Sequence, residues 1–166
     1  MRTMQQWLDE YGESHRHPTN KAIHRVCVPA ILFSVLGLLW LLPVPQSAAA
    51  NGPWVNWATL AMAFAVIYYL ILSPGLAVGM ATTALVMFIV VHQLEKALTF
   101  PLWALFAAIF VIAWIGQFIG HQVEGRKPSF FKDVQFLLIG PAWLLADLYR
   151  QFGSTEGPDG RHKSSP

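Results

Sequence analysis

Four apolar blocks set the terms for this chain: residues 26–42 (VCVPAILFSVLGLLWLL), 54–72, 76–91 and 100–119 contain no Asp, Glu, Lys or Arg. Each approaches the ~20 residues that an α-helix needs to cross the ~30 Å hydrocarbon core of a bilayer. Charged residues make up 12% of the 166 positions, against about 25% in an ordinary soluble domain. The reading is an all-α integral membrane bundle of about four transmembrane helices, forming one domain over residues 1–152. The Gly/Ser/Pro-rich segment 153–166 reads as a disordered tail.

The punctuation between blocks supports helices. Residues 3–14 form a short polar helix whose edge of Trp7, Leu8 and Tyr11 suits the membrane interface. Pro18 disfavours helical geometry at the preceding residue and so places a boundary near His15. Thr19 is the expected N-cap of the next helix, which Pro43 and Pro45 end. Ser73-Pro74-Gly75 folds the second and third blocks into an antiparallel hairpin. Gly125 and Pro128 stop the fourth. Residues 134–149 are apolar but split at Gly140-Pro141, so a re-entrant or interfacial helical hairpin is expected there. The N-terminus lacks the apolar core of a cleavable signal. Lys21 and Arg25 precede the first span and Arg126, Lys127 and Lys132 follow the fourth, while 43–53 carries no charge. The positive-inside rule then puts both termini in the cytoplasm, at the inner membrane of a bacterium or the endoplasmic reticulum of a eukaryote.

Several function classes fall away. Cys27 is the single cysteine, so neither an intrachain disulfide nor a thiolate cluster can form. A net charge of +2, scattered along the chain, does not make a nucleic-acid surface. Any metal site must be built from His, Asp, Glu or Asn.

That topology sorts the six histidines. His15, His17, His24 and His121 lie at the cytoplasmic membrane edge, whereas His92 ends the third span at the opposite side, despite the likeness of HQLE at 92–95 to HQVE at 121–124. On a helix, Asn20 and His24 share a face at i, i+4, as do Gln117 and His121, with Glu124 one turn on. The break at Pro18 lets His15 fold back, so imidazoles from three places can converge. Imidazole suits iron, copper, nickel and zinc. Each residue also has a plainer reading: a histidine in the headgroup layer, Glu124 paired with Arg126, Asn20 satisfying a first helical turn. Gln117 falls within an apolar span, where polar side chains face the bundle interior or a cavity. The tryptophans read as interfacial belt or packing. A small transporter or channel component is the alternative from another class, and a non-catalytic metal-binding membrane protein a third. Against the transporter stands the almost wholly apolar character of the first three spans.

The stretch YGESHRHPTNKAIHRVCVP at 11–29, followed by QFIGHQVEGRKPS at 117–129 and then Gly140-Pro141, resembles the family of 2-hydroxy fatty acid dioxygenases. The departures are His17 where an asparagine is usual, Cys27 for a glycine and Ser129 for an alanine; none removes a candidate ligand. The resemblance covers residues from about 7 to 149. It implies Fe(II)-dependent α-oxidation, in which O2 cleaves C1–C2 of a 2-hydroxy fatty acid to give CO2 and an acid one carbon shorter. It further implies His15, His24 and His121 as metal ligands, with Glu124 and Asn20 as a fourth ligand or orienting groups. Tyr11 and Gln117 would contact substrate or oxygen, and Lys21, Arg25 or Arg126 the carboxylate.

Overall fold

The computed structural model describes residues 3–13, 15, 17–125 and 130–151. The described residues form seven helices: α1 (Met4–Glu13), α2 (Pro18–Trp40), α3 (Gln46–Ala49), α4 (Trp57–Leu72), α5 (Pro74–Ala97), α6 (Leu102–Glu124) and α7 (Phe130–Gln151). Arg126 and the expected disordered tail from 153 lie outside them.

Local chemistry sets the boundaries. Pro18 is the first residue of α2, but the cap before it is His17 rather than Thr19: His17 Nδ1 accepts from the Thr19 N–H at 3.2 Å. Pro18 makes this possible, because its fixed φ and missing N–H suit the first helical position. Asn56 Oδ1 accepts from the Thr59 N–H at 3.0 Å and starts α4 at Trp57, leaving Trp54 and Val55 outside the helix. Only Ser73 separates α4 from α5. Gly125 ends α6 at φ 71°, the left-handed conformation that glycine adopts without penalty.

Three helices, α2, α5 and α6, are long and apolar enough to cross a membrane, with mean hydropathy of 2.0, 2.1 and 2.2 over their best windows. The second block is shorter, with 16 residues in α4, roughly 24 Å at 1.5 Å per residue. Outward faces are apolar: Ile71 is 74% exposed and Ile112 69%. A surface like this suits lipid rather than water.

The principal contact is α2 against α6. A Cβ on Gly120 would sit 2.5 Å from Asn20 Oδ1, one on Gly116 2.6 Å from Cys27 Sγ, and one on Gly37 2.5 Å from the Phe106 ring. The glycines thus let the helices approach closely, the usual way of packing helices where lipid supplies no hydrophobic drive. Since Asn20 meets Gly120 and Gly37 meets Phe106, the two run antiparallel. Two clusters fill the bundle. Leu8, Tyr11, Tyr69, Leu76, Ile139 and Trp143 belong to the near one, and Leu36, Trp40, Ala58, Phe88 and Phe106 to the far one.

The C-terminal segment differs from expectation. A single helix runs through Gly140-Pro141, where a split hairpin was expected. An interior proline costs about 3 kcal/mol and removes a backbone hydrogen bond. Packing offsets this: Ile139, Ala142, Trp143 and Ala146, at i, i+3, i+4 and i+7, form a buried stripe in the near cluster. The Tyr69 hydroxyl donates to the Leu138 carbonyl beside the gap.

Candidate metal centre

The site is assembled where α1 ends, α2 begins and α6 closes. After α1 the chain turns tightly, the His15 N–H donating to Gly12 O at 3.1 Å. That turn brings His15 back over the bundle, where it is 3% exposed. Its Nδ1 lies 2.7 Å from Tyr11 O, one of the carbonyls that a helix end leaves without a partner. His24, 2% exposed, has Nδ1 3.0 Å from Asn20 O.

A carbonyl can only accept, so each imidazole carries its proton on Nδ1 and presents a bare Nε2 lone pair. The two Nε2 atoms face each other at 2.9 Å. As neutral rings they would set acceptor against acceptor, an arrangement that a cation between them relieves. His121, half-buried, completes the group, and ligand atoms of the three histidines all lie within 4.8 Å of one another. Burial lowers the His15 pKa, with smaller opposing and reinforcing effects from Tyr11 O, His121, Glu124 and Lys21. Its unprotonated form, the one that binds metal, is therefore favoured. The spacing of the His15–His24 pair fits an ion, because two imidazole nitrogens each about 2.0–2.1 Å from one metal would lie roughly 3 Å apart.

Neighbouring groups hold the ligands in place. Tyr11 stacks on His15, with ring centroids 4.1 Å apart and planes 13° apart. Glu124 Oε2 accepts from Asn20 Nδ2 at 2.9 Å and from the His17 N–H at 2.9 Å. The carboxylate thereby ties the end of α6 to the start of α2, the two helices that carry His121 and His24. Backbone carbonyls that orient imidazoles are the support metal-ligating histidines commonly have.

Tyr11, Gln117 and the three histidines line one cavity, which continues to Val28, Ile31 and Leu32. Gln117 is 7% exposed and its Oε1 has no hydrogen-bond partner among the described residues. Lys21 is half-buried, and Arg25 binds Asp147 at 2.8 Å. His17 is exposed. His92 sits at the far end, between Trp40 and Trp54 and 3.6 Å from Glu95. Two site residues escaped sequence reasoning. Trp143 lies 5.8 Å from the His15 ring and 5.5 Å from Tyr11 between centroids, and Trp114 lines the cavity. The spacing of 114, 117 and 121 on one helical face was the available signal for Trp114.

Fold and site define a small helical integral membrane protein with a buried three-histidine centre at one end of its bundle. The Mpo1-like family, described as 2-hydroxy-palmitic acid dioxygenase Mpo1-like, matches residues 1–152, and the chain belongs to that family of oxidoreductases. It is 31% identical over 149 residues to the 2-hydroxy-palmitic acid dioxygenase MPO1 of Saccharomyces cerevisiae, covering 88% of this chain and 79% of the yeast protein. No solved structure matches the chain.

Proposed function

We propose that this chain is an Fe(II)-dependent dioxygenase of 2-hydroxy fatty acids. In the overall reaction a 2-hydroxy acid and O2 give the acid one carbon shorter, CO2 and water. The C1–C2 bond breaks, C2 is oxidised to the new carboxyl carbon, and O2 is reduced. The observation that carries this reading is the pair of Nε2 lone pairs held 2.9 Å apart in a cavity that continues to the apolar side chains of Val28, Ile31 and Leu32.

His15, His24 and His121 would hold the iron. When bound, it supplies open coordination positions for the hydroxyl and carboxylate oxygens of the substrate and for O2. The protein's part is placement. Gln117, buried and lining the cavity, accepts a hydrogen bond from the substrate's 2-hydroxyl through its amide oxygen. The Tyr11 phenol borders the same space. Asn20 and Glu124 act as positioning residues through α2 and α6, and the Trp143 and Trp114 rings keep water from the reacting carbon. Lys21, Arg25 and Arg126 attract the carboxylate to the membrane surface.

The orientation belongs to the same proposal. The centre and both termini face the cytoplasm, and α4 also crosses the membrane despite its length, making four spans.

The test is metal analysis of detergent-purified protein together with turnover of 2-hydroxypalmitic acid in the presence of Fe(II) and O2. The expected result is bound iron and a C15 acid, with both lost in His15→Ala, His24→Ala and His121→Ala and kept in His17→Ala. Full metal content in all three ligand variants would sink the site; loaded protein that forms no C15 acid would sink the reaction.

A further inference from the structure

The metal cavity is about 60 Å³. One water needs about 10–15 Å³ of such space, so it holds about four to six waters, room for the polar head of a substrate but not for a sixteen-carbon chain. A palmitoyl-length tail must lie elsewhere. Beside it, between α2, α5 and α7, is a second cavity of about 340 Å³, within the ~300–1,000 Å³ range of small-molecule sites. The two share Val28, Leu32 and Pro141 and are therefore separated by a single layer of side chains.

We propose that the α2–α5–α7 cavity is the acyl-chain site of this enzyme, entered from the metal centre past Val28 and Pro141, with Met87 setting the chain length accepted. The inference rests on the proposed reaction for the polar head of its ligand. Its own support is geometric. Val28 lies one turn beyond His24 on α2 and Leu32 one turn further, so the wall between the cavities begins directly below the centre. The lining is apolar in effect, because the Thr83 hydroxyl, the polar group on its α5 side, donates to Gly79 O at 2.9 Å and leaves the methyl group for packing. Met80 and Met87 also line this side, and thioether chains adapt to a flexible ligand. The Arg25–Asp147 ion pair, 2.8 Å long, lines the cavity at the level of His24. Charge is thus confined to the end where a carboxylate would be, and the Leu32–Met87 end is apolar. From His24 to Leu32 the helix rises only roughly 12 Å, shorter than an extended palmitoyl chain, so the residue at that depth meets the chain.

The test is equilibrium binding of radiolabelled 2-hydroxy acids of C8, C16 and C20, and of unsubstituted palmitic acid, to the purified full-length protein. Wild type is expected to prefer C16. Met87→Trp should weaken C16 binding at least about tenfold, the effect of leaving about two methylenes unburied, while C8 binding stays within twofold or so. Met87→Ala should shift the optimum to longer acids, which a misfolded protein cannot do. Val86→Trp, on the exposed lipid-facing side of α5, should change neither. Unaltered chain-length preference in both Met87 variants overturns the proposal, as does a co-purifying phospholipid that C16 acid fails to displace. Met87-sensitive binding of palmitic and 2-hydroxypalmitic acids without turnover would leave the chain site standing and remove the reaction; turnover with an unchanged length preference would do the reverse.

Discussion

Two imidazoles whose Nδ1 protons are taken by carbonyls four residues back have one remaining option, which is to offer Nε2. This is why the spacing Tyr11–His15 and Asn20–His24 matters as much as the histidines themselves. The same accounting isolates Gln117. Its side chain is buried, its Oε1 is unsatisfied among the described residues, and an unsatisfied buried polar atom typically costs about 1–3 kcal/mol. A group kept at such a cost is expected to serve the ligand. Gln117→Leu should therefore raise or preserve the thermal midpoint of the metal-free protein while lowering turnover of 2-hydroxypalmitic acid by about tenfold to a hundredfold, the range typical of a lost ligand hydrogen bond with burial of its partner. A calorimetric scan and a turnover assay on the same preparation check both halves. A destabilised variant with normal turnover would make Gln117 structural. At this scale the convergence of His15, His24 and His121 was readable, because span topology puts them at one membrane edge and the break at Pro18 lets His15 fold back. The His17 cap and the place of Trp143 were not readable, since each role depends on a backbone turn or a helix packed from far away in the chain.

Among elements, the α2–α6 pair carries most of the site, and its closeness rests on absent side chains. The start of α2, with Asn20 and His24, is pressed against Gly120 of α6, one residue before His121. Gly120→Ala places a Cβ 2.5 Å from Asn20 Oδ1, nearer than such atoms approach, and Asn20 cannot retreat without releasing Glu124. The expected result is a loss of about 1–3 kcal/mol in stability, as for other overpacked interiors, together with weaker metal retention, measured by thermal unfolding and by metal content after dialysis. Gly75→Ala, in open space and at the start of α5, should leave metal content unchanged. Helix α7 was legible as an apolar helical segment but misread as a split hairpin, and the short α3 was not foreseen. Gly140-Pro141 is a strong stop signal, and it outweighed the buried spacing 139, 142, 143, 146 that was present in the same residues. The helix is held by packing against α1 and α5, with Tyr69 donating beside the gap, and no local pattern reports those distant contacts.

Over the whole molecule, the apolar blocks were legible because nothing else accounts for them, whereas the crossing of α4 needs a connectivity argument. Tyr69 near the C-terminal end of α4 packs with Leu76 in the near cluster. Ala58 near its start packs with Leu36, Trp40 and Phe88 in the far one. α4 therefore joins the far end of α2 to the near end of α5. If α2 and α5 cross a bilayer, α4 must cross it too, and its roughly 24 Å is accommodated by local thinning or by flanking residues, of which Trp54 and Trp57 are suitable interfacial anchors. In a Cys27→Ser background, single cysteines at exposed positions 3, 47, 75 and 99 report this directly. With a maleimide that does not cross the inner membrane, applied to intact bacterial cells expressing the chain there, Ser47→Cys and Thr99→Cys should label, and Thr3→Cys and Gly75→Cys should label only after permeabilisation. Labelling of Gly75→Cys together with Ser47→Cys would mean that α4 does not cross. Labelling of Thr3→Cys in intact cells would invert the protein and put the histidine centre on the outer side, out of reach of a cytosolic iron supply.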